Sequence, residues 1–146
     1  MEELSLVLNL AAALFLTGLI WFVQIVHYPL FAHAGRAAFP NYEAEHTRRT
    51  TLVVAPVMLV EAGSSLAMAV IRPPSLSPAA AWGGLALVIL IWLSTAFLQV
   101  PQHRSLMVGF SAAAHRRLVL SNWVRTAGWT ARSGLLLWCV SRGWRQ

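Results

Sequence analysis

Few residues in this chain are equipped for chemistry, and they cluster. Its histidines are His27, His33, His46, His103 and His115, and all but His27 fall in two mildly polar stretches, 31–49 and 102–121. Arg125 and Arg132 stand inside an apolar run near the C-terminus, and Glu61 stands inside another. An ionised side chain in such a run costs roughly 2.5–3.5 kcal/mol on insertion scales unless it finds a partner, so each marks an ion pair or a site. Glu61 paired with either arginine is the structural reading. Two arginines against one glutamate leave a surplus positive charge, which suits a ligand that is anionic or becomes so during reaction. A histidine beside that cation is a general base titrating near neutrality. The same histidines admit metal readings. Glu43-Ala44-Glu45-His46 holds a Glu-x-x-His step, the spacing of di-iron bundles, with His115 as a further ligand candidate, although those bundles use a pair of such steps. His27 and His103 suit a bis-histidine haem. The sequence leaves the cofactor unknown: none is favoured, and haem or a metal ion are the candidates.

Polar residues recur around these charges at offsets of three, four and seven. The first apolar run offers Asn9, Thr17, Trp21, Gln24 and Tyr28; the second Glu61, Ser64 and Ser65; the third Thr95, Gln99 and His103; the last Asn122, Arg125, Trp129 and Arg132. Those offsets put each set on one helical face, and four helices with one polar stripe each turn the stripes inward. The expected site is therefore a His/Arg/Trp pocket near one membrane face. His103 and His27 are its candidate bases and Arg125 its fixed cation. Asn122, Trp129, Arg132, Glu61, Gln99, Trp21 and Gln24 are the candidate ligand-binding residues, with Trp92 as a further wall.

The elements that position these residues are membrane spans. The chain has 146 residues, 58% of them apolar and only 11% charged, against about 25% charged in soluble domains. A single all-α domain over residues 1–146 follows, built as a four-transmembrane-helix bundle. The spans are expected near 4–30, 51–71, 79–100 and 123–140, the last weakest in hydropathy because of its arginines. Glu2 and Glu3 argue against a signal peptide, and Arg72-Pro73-Pro74 closes the second span. The halves resemble each other: Trp21 and Pro29 echo Trp92 and Pro101, and Glu45-His46-Thr47-Arg48-Arg49 echoes Ala114-His115-Arg116-Arg117. A duplicated helical hairpin would set both His-rich connections on one side. That side carries Arg36, Arg48, Arg49, Arg104, Arg116 and Arg117, the other Arg72, Arg142 and Arg145, so arginine counting places the His-rich side in the cytoplasm of a bacterial inner membrane.

All basic residues are Arg and all acids Glu, with net charge +6. The arginines flank apolar runs as headgroup contacts, which excludes nucleic acid as a partner. The lone Cys139 permits no disulfide within the chain. The expected partners are the lipid bilayer and a small hydrophobic ligand, with a second copy of the chain left open.

Pro101-Gln102-His103 followed by Leu106, and then Asn122-Trp123-Val124-Arg125-Thr126, resemble the anthrone-oxygenase-like family of small four-helix membrane proteins. The family pattern is close to Pro-x-Asn-x-x-Leu followed by Asn-x-x-Arg-Thr; this chain has His103 where Asn is usual. The resemblance implies an oxygenase acting on polycyclic phenolic substrates without an evident cofactor. Such chemistry requires a base, a cation for the developing enolate and apolar walls that admit dioxygen. The alternative is a non-enzymatic carrier, sensor or accessory membrane subunit, or a haem or metal protein.

Overall fold

A computed structural model describes residues 2–74 and 76–143 of the chain. Four helical rods form a ring in which α1 (Glu2–Phe22) packs on α3 (Phe39–Val70) and on α6 (Ala112–Gly143), and α4 (Pro78–Ser94) closes the ring between them. The first rod is extended by a π-turn at Val23–His27, by α2 (Tyr28–Leu30) and by a 3-10 turn at Phe31–His33. The third is extended by a π-turn at Thr95–Gln99 and by α5 (Val100–Val108). Three rods, Leu4–His33, Phe39–Val70 and Pro78–Val108, are long and apolar enough to cross a membrane. The fourth is 32 residues long, with Arg125 and Arg132 turned into the bundle.

Local chemistry sets the helix ends. Ser77 caps α4 by accepting from the Ala80 N–H at 3.2 Å, and Pro78 occupies the first turn, where a missing N–H costs nothing. Pro40 plays the same part in α3. The polar connections expected at 31–49 and 102–121 are mostly helix: α3 begins at Phe39 and α6 at Ala112. A rod of 30 residues measures roughly 45 Å at about 1.5 Å per residue, longer than the about 30 Å hydrocarbon layer, so the polar ends extend beyond it.

The two π-turns are the strongest sign of the internal repeat. Tyr28 N–H reaches back to the Val23 carbonyl, and Val100 N–H to the Thr95 carbonyl. The second residue beyond each π-turn is a proline, Pro29 or Pro101. A proline inside a helix lacks its N–H and crowds the carbonyl four residues back, and a widened turn relieves that crowding. Each π-turn also directs a glutamine at α6. Gln24 Nε2 donates to the Val119 carbonyl at 3.1 Å, and Gln99 Nε2 to Ser121 Oγ at 3.0 Å. Both His-rich connections lie at one end of the bundle, where His115 of the second meets the Tyr28 carbonyl at 2.7 Å.

Candidate functional site

Two buried polar tiers cross the bundle, and each joins all four rods. The inner tier is built on Arg132, 1% exposed, and Glu61, 0% exposed. Arg132 Nε donates to Glu61 Oε1 at 2.9 Å, Nη1 to the Gly84 carbonyl at 2.5 Å, and Nη2 to Asn9 Oδ1 at 2.5 Å and to Ser65 Oγ. Asn9 Nδ2 faces the Glu61 carbonyl at 2.9 Å and the Ser64 and Ser65 hydroxyls, each at 2.8 Å. Trp129 Nε1 donates to the other Glu61 oxygen at 3.0 Å. Glu61 therefore pairs with Arg132 and lies against Trp129. These bonds tie the four rods together, and of the tier's side chains Trp129 alone lines the cavity described below.

The outer tier is a linear chain. Glu43 Oε1 lies 2.5 Å from His103 Nδ1, His103 Nε2 lies 2.9 Å from the Tyr28 hydroxyl, and Arg125 Nη2 donates to that hydroxyl at 3.2 Å. Asn122 Oδ1 accepts from Arg125 Nε at 2.8 Å and Nη2 at 2.5 Å, and Asn122 Nδ2 donates to Gln24 Oε1 at 2.7 Å. Assigned from these partners, the Nδ1 proton of His103 points at Glu43, Nε2 accepts from Tyr28, and Tyr28 in turn accepts from Arg125. A carboxylate, an imidazole, a phenol and a guanidinium are thus aligned so that proton movement along them is answered by fixed charge at either end. Among the described residues Arg125 has no carboxylate partner, and its guanidinium lies 5.9 Å from the centre of a Trp129 ring. The second glutamate oxygen, Glu43 Oε2, is buried without a hydrogen-bond partner.

A cavity of about 400 Å³ lies between the tiers, within the usual size of small-molecule sites. Tyr28, His46, His103, Arg104 and Arg125 line one end of it, with Thr47, Thr50 and Thr51 of α3 beside them. Leu16, Leu19, Ile20, Val23, Val54, Ala55, Met58, Val100, Met107, Trp92 and Trp129 supply the apolar remainder.

Several expected site residues stand elsewhere. Trp21 is 41% exposed on the outside of the bundle, bonded to Thr130 Oγ1 at 3.0 Å, and does not line the cavity. Gln24, Gln99, Asn122, Arg132 and Glu61 are buried, and their bonds run between rods. The middle of the first rod's polar stripe is thus its seam with α6: Thr17 bonds to the Trp129 carbonyl at 3.0 Å and to Ser133, Trp21 to Thr130, and Gln24 to Val119, while Asn9 meets α3 and Tyr28 faces the cavity. The adjacent apolar face, at Leu16, Leu19, Ile20 and Val23, is the one that meets the cavity. In a bilayer, interhelical polar contacts act as glue, so a stripe at helical spacing does not distinguish a seam from a pocket.

His27 is one step removed, its Nε2 2.9 Å from His46 Nδ1. Glu43 was expected only as a metal-ligand candidate, and its place as the buried partner of His103 was missed. The signal available was its offset of three from the cavity-lining His46. The metal candidates are not gathered: Glu43 turns to His103, His46 to His27 and Thr50, and His115 to the Tyr28 carbonyl. Among the described residues no group of three or more His, Cys, Asp or Glu side chains is placed to hold a metal ion. His103 has both ring nitrogens engaged and offers none to a haem iron. Of the arginines counted for topology, Arg145 lies outside the described residues. Comparison of the chain with family models, curated proteins and solved structures gave no match.

Proposed function

We propose that this protein binds a lipophilic aromatic or quinone-like molecule in the membrane and removes a proton from it, so that dioxygen can oxidise the resulting anion. One observation carries the reading: the Glu43–His103–Tyr28–Arg125 chain borders a cavity that is polar at that end and apolar at the other. Glu43 fixes the His103 tautomer, and the His103–Tyr28 pair takes the proton. Arg125, backed by Asn122, holds the oxygen on which negative charge develops. Dioxygen is the oxidant. At an activated methylene two C–H bonds and the O–O bond break; one oxygen atom ends in a new carbonyl and the other, with both hydrogens, in water. The resemblance to the anthrone-oxygenase-like family supports this chemistry, and a histidine at position 103 supplies the base. The arginine count supports placing the His-rich end in the cytoplasm.

Anthrone added to vesicles containing the protein, with an oxygen electrode recording uptake, tests the proposal. Uptake should match anthrone consumed mole for mole. His103→Gln should abolish it while anthrone still binds. Uptake undiminished in His103→Gln refutes the assigned base; binding without uptake in the wild type leaves a carrier.

A further inference from the structure

The walls of the cavity differ in exposure. Where the first rod and α6 bound it, Ile20, Val23, Arg125 and Trp129 are buried; where α3 and the third rod bound it, Thr51, Trp92 and Arg104 are exposed. The cavity therefore opens sideways, as a slot between α3 and the α4–α5 rod. On α3 the slot follows one helical face from Thr47 to Met58, a rise of roughly 16 Å. Its polarity changes along that length: Thr47, Thr50, His103 and Arg104 stand at one end, Val54, Met58 and Trp92 at the other.

The polar end of the bundle is packed with aromatic rings. Phe31 and Phe39 are fully buried there, their ring centres 6.0 Å apart, and Phe39 lies 5.0 Å from Phe110 and Phe31 5.0 Å from His46. These rings pack against His46 and His115 at that end, whereas the slot faces the lipid surface of two rods apolar enough to span. Among the described residues Arg104 makes no ion pair, which leaves a cation at the polar end of the slot.

We infer that the ligand is an amphiphile already dissolved in the bilayer, with an acidic aromatic head and an apolar tail, and that it enters sideways through this slot. Arg104 meets the acidic head and passes it to His103 and Arg125, while the tail lies along Val54, Met58 and Trp92. The inference rests on the ligand-binding reading above and adds to it the route and the tail.

A dodecyl-substituted hydroxynaphthoquinone tests both, because quinones quench tryptophan fluorescence and Trp92 and Trp129 face the cavity. Binding is followed by stopped-flow quenching in phosphatidylcholine vesicles. Thr51→Phe narrows the slot from an exposed position that tolerates bulk. Association and dissociation should both slow by about tenfold or more with little change in Kd, since an obstructed passage affects both directions equally. Leu52→Phe, a neighbour that does not line the cavity, should match the wild type. Arg104→Gln should slow association of the acidic quinone and leave that of its methyl ether unchanged. Unchanged rates in Thr51→Phe, or a weakened Kd with unchanged association, overturn the lateral route. So does equal slowing of acid and ether by Arg104→Gln, which removes the guiding cation. Absence of quenching in the wild type, with the protein folded by circular dichroism, overturns the ligand-binding reading and the slot with it.

Discussion

Replacing Glu61 by Gln keeps its shape and removes its charge, and the inner tier sets how much that should cost. Glu61 accepts from Arg132 Nε at 2.9 Å and Trp129 Nε1 at 3.0 Å. A glutamine can accept with one oxygen only, and its amide nitrogen would then confront an N–H donor. If hydrogen bonding alone were lost, the one intramembrane bond that the amide nitrogen cannot accept would cost about 0.6 kcal/mol. The structure demands more, because Arg132 would keep its charge at 1% exposure with only neutral acceptors, Asn9, Ser65 and the Gly84 carbonyl. Stranding one partner of a buried pair costs about 3–5 kcal/mol, a large part of a typical stability of about 5–15 kcal/mol. Reversible unfolding in mixed micelles, followed by far-ultraviolet circular dichroism, measures the difference. Removing both charges, Glu61→Gln with Arg132→Gln, should recover part of the loss because no ion is left unpaired. A loss below about 1 kcal/mol for Glu61→Gln would mean the carboxyl is normally protonated or its charge contributes nothing. The ion-pair account of the inner tier would then be wrong.

Arg125→Lys keeps the charge but not the planar fork that bonds Asn122 and Tyr28 together, so affinity for the acidic quinone should fall at least about tenfold, or about 1.4 kcal/mol. Arg72→Lys in the opposite connection should bind like wild type in the same titration, and equal binding by both variants would remove Arg125 from the site. A Cβ at Gly128 would meet Ile91 Cγ1 at 2.9 Å, so Gly128→Ala should destabilise the α4–α6 contact by about 1–3 kcal/mol. Ile91→Ala in the same chain should restore part of that in the unfolding assay; failure to restore any would show the strain is elsewhere.

The sequence made the bundle and its inner tier legible because intramembrane charge is costly enough to leave few arrangements for Glu61, Arg125 and Arg132. Offsets along α6 placed Asn122, Arg125 and Trp129 on one face, and the two that line the cavity, Arg125 and Trp129, come from that face. Glu43 was less legible. Hydropathy puts it in a polar connection, yet α3 begins within that connection at Phe39 and runs on unbroken, and the carboxylate is 0% exposed beneath His103. Trp21 failed for a different reason. Its offsets from Thr17 and Gln24 are those of one helical face, but a face has no label for what it meets, and that one meets α6. Nor did the sequence announce the π-turns, although a proline two residues beyond each was in view.

Those π-turns set a frame for everything after them. Each holds one residue more than the ordinary turn it replaces, so the helix beyond leaves with its side chains rotated by about 100° from where uninterrupted winding would put them. Tyr28 and His103, the central pair of the outer tier, both lie downstream of such a turn. Losing a single codon within Val23–His27 would let the wide turn relax to an ordinary α-turn, and Tyr28 would keep its phase toward His103 and Arg125. A loss within Thr95–Gln99 would leave His103 in place for the same reason. The slack is one residue in each of these turns: a second loss has no wide turn to absorb it and would swing the downstream side chain away by about 100°.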